Sequence, residues 1–419
     1  MRILFLTNFY PPSRPGGYTQ WCQEVALGLK ARGHTIGILT SRHGIEKIPP
    51  GEKDIWRLLH LEGDLFYYRP LHFFTRWRQE RKENLLNLER TVQIFAPDIL
   101  FVWGMWAMSK ELPALAERLL PAHVVYYISD YWPSAKDMHT QYWDMAARQW
   151  LMRLPKRIFS DIAQSLLAKN GVPELKFENA ICVSAAVRDI LVEAGLPLHK
   201  ATIIHGGTDL ERFQSIRERD FSARPLRLLY AGQLASHKGV HTAVKAMGML
   251  VNSQAADEAT LTIVGSGHPE YEALLRNLVN RENLHDWVSF HGPVSKEEMP
   301  ALLQRFDVMI FPSVYEEPLA RMTQEAMLAG LIVVGTTTGG TKEILIDDNN
   351  GLTFATEDAQ GLARQIRRLL EDPALCLRLS LAGHQTTLEK FTLTRMVDEI
   401  DAYLINVKDY PADSKVETA

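Results

Sequence analysis

The chain has 419 residues, 46% of them hydrophobic and 23% charged, with a formal net charge of −4. That length exceeds what one hydrophobic core serves, so two domains of roughly 100–200 residues each are expected. The mild acidity argues against a protein dedicated to nucleic acid, and three scattered cysteines, Cys22, Cys182 and Cys376, form neither a disulfide framework nor a zinc-ligand spacing.

The apolar run at the start stops at Leu6, well short of the roughly 7–15 residues of a secretory h-region, so no leader is expected. The longest uncharged apolar stretch, Ile99–Met108, is half of the ~20 residues a membrane span needs. With the odd cysteine count, this predicts a protein of the reducing cytoplasm.

Ile3–Thr7 reads as a buried strand, followed by the Pro/Gly loop NFYPPSRPGGYTQ. Gln20–Ala31 has helical spacing, with Trp21, Val25 and Leu29 on one face, and ends at Arg32-Gly33-His34. Thr35–Thr40 is a second strand, which completes a βαβ unit and predicts a parallel sheet. Further strands are expected at Asp98–Trp103, His123–Ser129 and Ala180–Ser184. The polar, patternless stretch 215–225, SIRERDFSARP, reads as a linker.

The alternation then restarts, with strands at Leu226–Ala231, Leu261–Val264, Val288–His291, Val308–Phe311 and Ile332–Gly335. Helices are expected at Tyr271–Val279, Arg321–Ala329 and Leu388–Val407, before a polar tail from Asp409. The fold class is therefore α/β, with two Rossmann-like domains. Residues 1–208 and 209–395 form the domains, and 396–419 form a helix and tail packing back on the first. The halves differ in charge, with a balance of +5 over residues 1–205 and −9 beyond, and eight of nine tryptophans precede residue 205. Ligands of open α/β sheets bind at the carboxyl ends of strands, so the loops there are the candidate site.

Three segments in those loops carry chemistry. Gly16-Gly17, between the first strand and helix, lets the backbone approach a phosphate at a helix N-terminus; the blander reading is a flexible turn. It is not a GxGxxG fingerprint, and Gly265-Ser266-Gly267 also lacks the third glycine, so nicotinamide binding has weak support. Lys238 in GQLASHKG would neutralise a diphosphate as a point charge, or be an ordinary solvated lysine. Glu317 sits on the loop leaving Asp307–Phe311, and Glu325 lies in the helix that follows. A carboxylate accepts two hydrogen bonds, which suits vicinal ribose hydroxyls, and the helix N-terminus suits a phosphate. Read alone, Glu325 could equally serve the helix dipole and Glu317 be a solvated acid.

VYEEPLARMTQEAMLAG resembles the E-x7-E motif of the family-4 glycosyltransferases of GT-B fold, retaining and nucleotide-sugar dependent. PGGYTQWCQEVALGLKARGH, HGGTDLERF, LLYAGQLASHKGV, LTIVGSGHPE, VSFHGPVSKEEMPALLQRFDVMIFPS and TTTGGTKEILIDDNNGL resemble successive landmarks of that family, over nearly the whole chain. The resemblance implies that Gly16 and Gly17 meet the donor diphosphate or reacting centre and that Lys238 holds the diphosphate. It implies that Glu325 binds the ribose and Glu317 the transferred sugar. Gly265 borders the donor, Leu319 and Ala320 offer it backbone N–H groups, and Val294 lies where main chain reads the base. It implies no metal and no cofactor beyond the nucleotide sugar.

Two positions depart from the family. Gln233 stands where Arg is usual, which removes a charge from the diphosphate site. Ser129 stands where a His is common, in YYISDYWP, leaving Asp130 as the candidate catalytic group. Glu317 and Lys238 are the other catalytic candidates, and Ser129, Tyr131 and Trp132 face the acceptor side. Aromatics around them would stack on a carbohydrate or lipid-linked acceptor, or pack the core. FYYRPLHFFTRWRQERK (66–82) mixes aromatic and basic residues, and would contact the inner face of an anionic membrane or form a solvated helix with one buried face. The expected function is sugar transfer to an unidentified saccharide, lipid-linked or small-molecule acceptor. The alternatives are a nucleotide-sugar epimerase of the same fold and a degenerate, non-catalytic binding subunit.

Overall fold

The computed structural model describes residues 1–13, 16–47, 51–63, 68–147, 150–168, 171, 173–213, 219–253 and 258–409. Two compact units emerge: Met1–Ile204 joined by Val397–Ala419, and His205–Met396.

The first unit contains β1 (Arg2–Leu6), β2 (Thr35–Ser41), β3 (Ile55–Leu59), β4 (Ile99–Val102), β5 (Val124–Ile128), β6 (Asn179–Cys182) and β7 (Thr202–Ile203). They form one sheet in the order β3-β2-β1-β4-β5-β6-β7, every pair parallel. β1, β4 and β5 are runs of apolar residues buried on both faces, as in sheets covered by helices on each side. The helix Gly17–Ala31 buries Trp21, Val25 and Leu29 against the sheet, and Gly33 follows it at φ 89°. The last helix, Leu393–Asp409, re-enters this unit: Val397 packs against Gly28, Asp398 pairs with Arg32, and Asp401 Oδ1 lies 2.7 Å from His34 Nε2.

The second unit contains β8 (Leu226–Ala231), β9 (Ala259–Val264), β10 (Val288–His291), β11 (Val308–Phe311), β12 (Ile332–Gly335) and β13 (Leu352–Thr353). Their order is β10-β9-β8-β11-β12-β13, again parallel throughout. Each sheet reverses its strand order once, between β1 and β4 and between β8 and β11. Such switch points open a crevice at the strand carboxyl ends.

β3 escapes sequence reading because Arg57 interrupts its apolar run; that guanidinium is buried, pairing with Glu52 and donating to the carbonyls of Tyr10 and Pro11. The short edge strands β7 and β13 were also unexpected. The stretch 215–225 is not a free linker where it is described: Arg219 donates to the carbonyls of Phe306, Ala329 and Leu303 at 2.9, 2.8 and 3.3 Å, and Phe221 joins the second core. Residues 214–218 lie outside the described residues. The helix expected at Leu388–Val407 is two, Pro373–Lys390 and Leu393–Asp409, broken at Phe391-Thr392. There the chain pairs with residue 208 instead: Thr208 N donates to Phe391 O and Leu393 N to Thr208 O. Of the tail from Asp409, only that residue is described.

Gly239 adopts φ 66°, and a Cβ there would fall 1.9 Å from Pro312 O. Gly239→Ala is expected to destabilise the second unit by about 2–4 kcal/mol. Hydrogen exchange checks this: amides of residues 226–251 should exchange faster while those of β1 and β2 are unchanged.

Candidate functional site

The loops leaving β8 and β11 flank the switch point of the second sheet and are stitched together. Val314 N and Tyr315 N both donate to His237 O, at 2.9 and 3.1 Å. The β8 loop is also pressed onto the β9 loop, where a Cβ at Gly265 would lie 1.9 Å from Gly232 O and one at Gly267 1.8 Å from Leu234 O. Gly265 thus has a packing reason to be glycine. Gly339, at φ 54°, leaves room for the backbone of Glu317, whose carbonyl accepts from Gly340 N at 2.6 Å.

This scaffold brings Lys238 and Glu317 together. Lys238 Nζ donates to Glu317 Oε1 at 2.6 Å, and Ser313 Oγ donates to the same oxygen at 2.6 Å. The lysine also stands over the Tyr315 ring, 5.5 Å from its centroid. Glu325, buried in the helix Arg321–Leu328, pairs through Oε1 with Arg321 Nε at 3.1 Å and Arg212 Nη1 at 3.6 Å. The two acids of the E-x7-E pair are therefore neutralised separately, Glu317 by one cation and Glu325 by two. That helix has no side-chain cap and no acid in its first turn. Among the described residues, the N–H groups of Leu319 and Ala320 have no protein acceptor. The result is a basic side chain, two backbone donors and a positive helix end at one crevice, which suits a phosphate. Gln233 is exposed, its carbonyl accepting from Tyr230 Oη at 2.7 Å, and Val294 is half-buried past β10.

In the first unit, Gly16 caps the helix Gly17–Ala31 in an extended conformation, and a Cβ at Gly17 would meet nothing within 4 Å. Neither conformation nor packing demands glycine at 17. Asp130 is half-buried; desolvation pushes its carboxyl up to about 6, opposed by the Trp132 N–H that donates to Oδ1 at 2.8 Å. Ser129 is buried with its Oγ unpartnered. Trp132 is turned inward, 3% exposed, against Tyr126 and Phe177, so it is a core residue and Tyr131 is the half-exposed neighbour. Trp103, Tyr126, Tyr127 and Trp143 are core residues as well.

Residues 15–212 match the family model described as Glycosyltransferase Family 4, and residues 211–386 match that of Glycosyl transferases group 1. The chain belongs to the group 1, family 4 glycosyltransferases. It is 33% identical over 215 residues to a glycogen synthase of Mycobacterium tuberculosis, a match covering 51% of this chain and only half (50%) of that relative. Its fold is shared with a Rickettsia africae glycosyltransferase (TM-score 0.72, 16% identity, 98% of this chain and 99% of that one). It is shared also with HepE of Anabaena, solved in complex with UDP (TM-score 0.67, 17% identity, 97% and 100%). Two parallel-sheet α/β units of this kind are the GT-B architecture.

Sequence reading of this family member missed a cavity of about 500 Å³ in the first unit, lined among others by Glu62, Lys110, Asp137, His139 and Trp77. Glu62 follows β3, the strand hidden by Arg57, and no motif marks it. Burial pushes its carboxyl up to about 8, helped by nearby Asp137 and Glu111, against the Met138 N–H at 3.2 Å and Lys110. His139 is buried with Nδ1 on Tyr68 Oη at 2.8 Å and Nε2 unpartnered, and desolvation lowers it to about 4. The cavity thus presents a protonatable acid beside a neutral imidazole.

Two outcomes follow from these contacts. A double-mutant cycle of Lys238→Met and Glu317→Gln, read by chemical unfolding, should give a coupling of about 1–3 kcal/mol. Because the folded pKa of Glu62 lies above its ordinary value, the native state binds the extra proton, and stability falls as pH rises from about 4.5 to about 8. Glu62→Gln should therefore leave melting unchanged near the lower limit and raise it by about 2–4 °C or more above the upper one.

Proposed function

We propose that the protein transfers a sugar from a nucleotide-sugar donor to a carbohydrate or lipid-linked acceptor, with retention at the anomeric carbon and without a metal. The observation that carries this is the Lys238–Glu317 pair, 2.6 Å apart, at a switch point beside an uncapped helix end. A diphosphate entering there takes over Lys238 and accepts from the N–H groups of Leu319 and Ala320. Glu317 is then released to accept hydrogen bonds from hydroxyls of the transferred sugar. Glu325, fixed by Arg321 and Arg212, accepts from the ribose hydroxyls, and main chain near Val294 meets the base. Gly16 and Gly17 approach the diphosphate or the reacting centre.

In the transfer, the bond from the anomeric carbon to the leaving phosphate oxygen breaks as the acceptor oxygen bonds to the same face. The acceptor proton passes to that phosphate oxygen. Lys238, the helix end and the amides oppose the leaving charge, the service a metal performs elsewhere. Gln233 adds a hydrogen bond there but no charge. Asp130, with Tyr131 beside it, orients the acceptor hydroxyl in place of the missing histidine, and the cavity at Glu62 holds the remainder of the acceptor.

The setting is the cytoplasm, where the buried free thiols of Cys22, Cys182 and Cys376 stay reduced. No helix among the described residues is long and apolar enough to cross a membrane. A peripheral contact with its inner face is part of the reading, first placed on segment 66–82. Residues 66 and 67 lie outside the described residues, and Phe73 and Trp77 are buried in a cluster with Trp143 and Ala163, which leaves Leu71 and Phe74 to face solvent.

The test is a binding and turnover panel of UDP-, GDP- and ADP-sugars, led by UDP-sugars because HepE was solved with UDP and with UDP-glucose. One donor should bind, and Glu325→Ala should weaken it by about 10–100-fold. Lys238→Ala should lower kcat by about 10²–10³-fold. A wild type that binds no nucleotide overturns the reading. Binding without turnover marks a binding subunit, and donor conversion without acceptor marks an epimerase.

A further inference from the structure

The helix Arg153–Ala168 presents its apolar side outward. Its buried positions are Ser160, whose hydroxyl donates to Trp143 O, and Ala163. Leu154, Ile158 and Ile162, one stripe at i, i+4 spacing, are 69%, 54% and 47% exposed, and Phe159 beside them is 49% exposed. Helices of soluble proteins turn such a stripe to the core, and a contiguous exposed patch marks an interaction surface.

The patch extends beyond one helix. The Phe159 ring lies 5.8 Å from that of Phe74 in the helix Pro70–Thr75, where Leu71 is 78% exposed, and Trp150, in the turn before Arg153, is 75% exposed. Its rim is basic. By helical position Arg153 and Arg157 follow one edge of the stripe, with Asp161, the one acid of the helix, beside Arg157, while Lys156 turns to the inner side and stands over the Tyr142 ring, 4.2 Å from its centroid. An apolar stripe with an aromatic and an arginine edge is the pattern of helices that lie in the headgroup layer of anionic membranes. A second copy packed on this face would bring the same arginines into one interface, where like charges oppose association.

We propose that Arg153–Ala168, with Leu71 and Phe74 beside it, is a docking surface for an anionic phospholipid bilayer. For its location this rests on the peripheral contact proposed above, moved from segment 66–82 to this helix, and it takes nothing from the transfer chemistry. Leu154, Ile158, Phe159 and Ile162 enter the acyl boundary while the arginines pair with headgroup phosphates.

The experiment is flotation of the full chain with vesicles of phosphatidylcholine alone and of phosphatidylcholine mixed with phosphatidylglycerol. UDP binding and light scattering are measured on the same samples. Wild type should float with the mixed vesicles only. L154E/I158E should bind them at least ~10-fold more weakly, and R153Q/R157Q about 5-fold more weakly per charge removed, a difference that added salt erases. L71E, on the neighbouring helix, should lose binding too, and UDP affinity should be the same in all four proteins. The proposal is overturned if wild type stays unbound on mixed vesicles, or if L154E/I158E floats as wild type does. It is overturned equally if wild type is a dimer that L154E/I158E converts to monomer, which makes the face a protein interface. A wild type that binds neither UDP nor any other nucleotide of the donor panel would strike the donor reading and leave the flotation result standing.

Discussion

The second unit depends on backbone packed against backbone where there is no room for a side chain. At the carboxyl end of β8 the chain touches the β9 loop through Gly265 and Gly267, and the β11 loop through Gly239, each with carbonyl oxygen where a Cβ would be. Gly339 does the same beneath Glu317. These contacts leave Lys238 and Glu317 little freedom, so an ion pair that would gain little on an open surface is held in one geometry. They also restrict the order in which the loops can be altered: a longer side chain at any of these glycines moves both charged residues at once.

The first unit uses a related device for a different purpose. Gly104 faces Asn8 and Tyr18, where a Cβ would lie 2.8 Å from Asn8 Oδ1 and 2.7 Å from a Tyr18 ring carbon. Asn8 and Gly104 tie the loops after β1 and β4 together, with Asn8 N donating to Gly104 O at 2.7 Å and Asn8 Nδ2 to Trp106 O at 2.7 Å. The phenol of Tyr18 is half-buried there and its pKa is pushed upward by desolvation, with nearby Asp130 adding to the effect. The loops of the second unit are thus built around a fixed charge pair, while the first unit carries neutral or easily neutralised groups, Tyr18 and Asp130 at its loops and Glu62 and His139 in its cavity. A phosphate suits the former and a polyhydroxylated molecule the latter.

Much of the alternation was legible, because parallel strands buried on both faces are continuous apolar runs. Leu226–Ala231, Val288–His291, Val308–Phe311 and Ile332–Gly335 were read with the bounds observed. β3 was not, since its Arg57 is buried by pairing with Glu52 and by donating to carbonyls 46 and 47 residues away, and the latter contacts are encoded by no local pattern. The E-x7-E acids were visible as a motif, but their neutralisation by Lys238, Arg321 and Arg212 required the fold. The cavity at Glu62 was invisible for the same reason as β3. The outward face of Arg153–Ala168 was hidden differently: periodicity reveals an apolar stripe, yet says nothing of whether the stripe faces core or solvent.

The return of the chain through Leu393–Asp409 has a consequence for synthesis. The second unit is a contiguous insertion, His205–Met396, whereas the first is completed by residues that follow it. On a growing chain the inserted unit has all its strands while the earlier one still lacks the helix that meets Gly28, Arg32 and His34. An N-terminal domain that makes all its native contacts before the next begins is therefore not what this chain order gives, because the first unit receives its last helix after the second is complete. The first unit waits through the synthesis of the second, with Gly28 of Gly17–Ala31 uncovered until Leu393–Asp409 has been made.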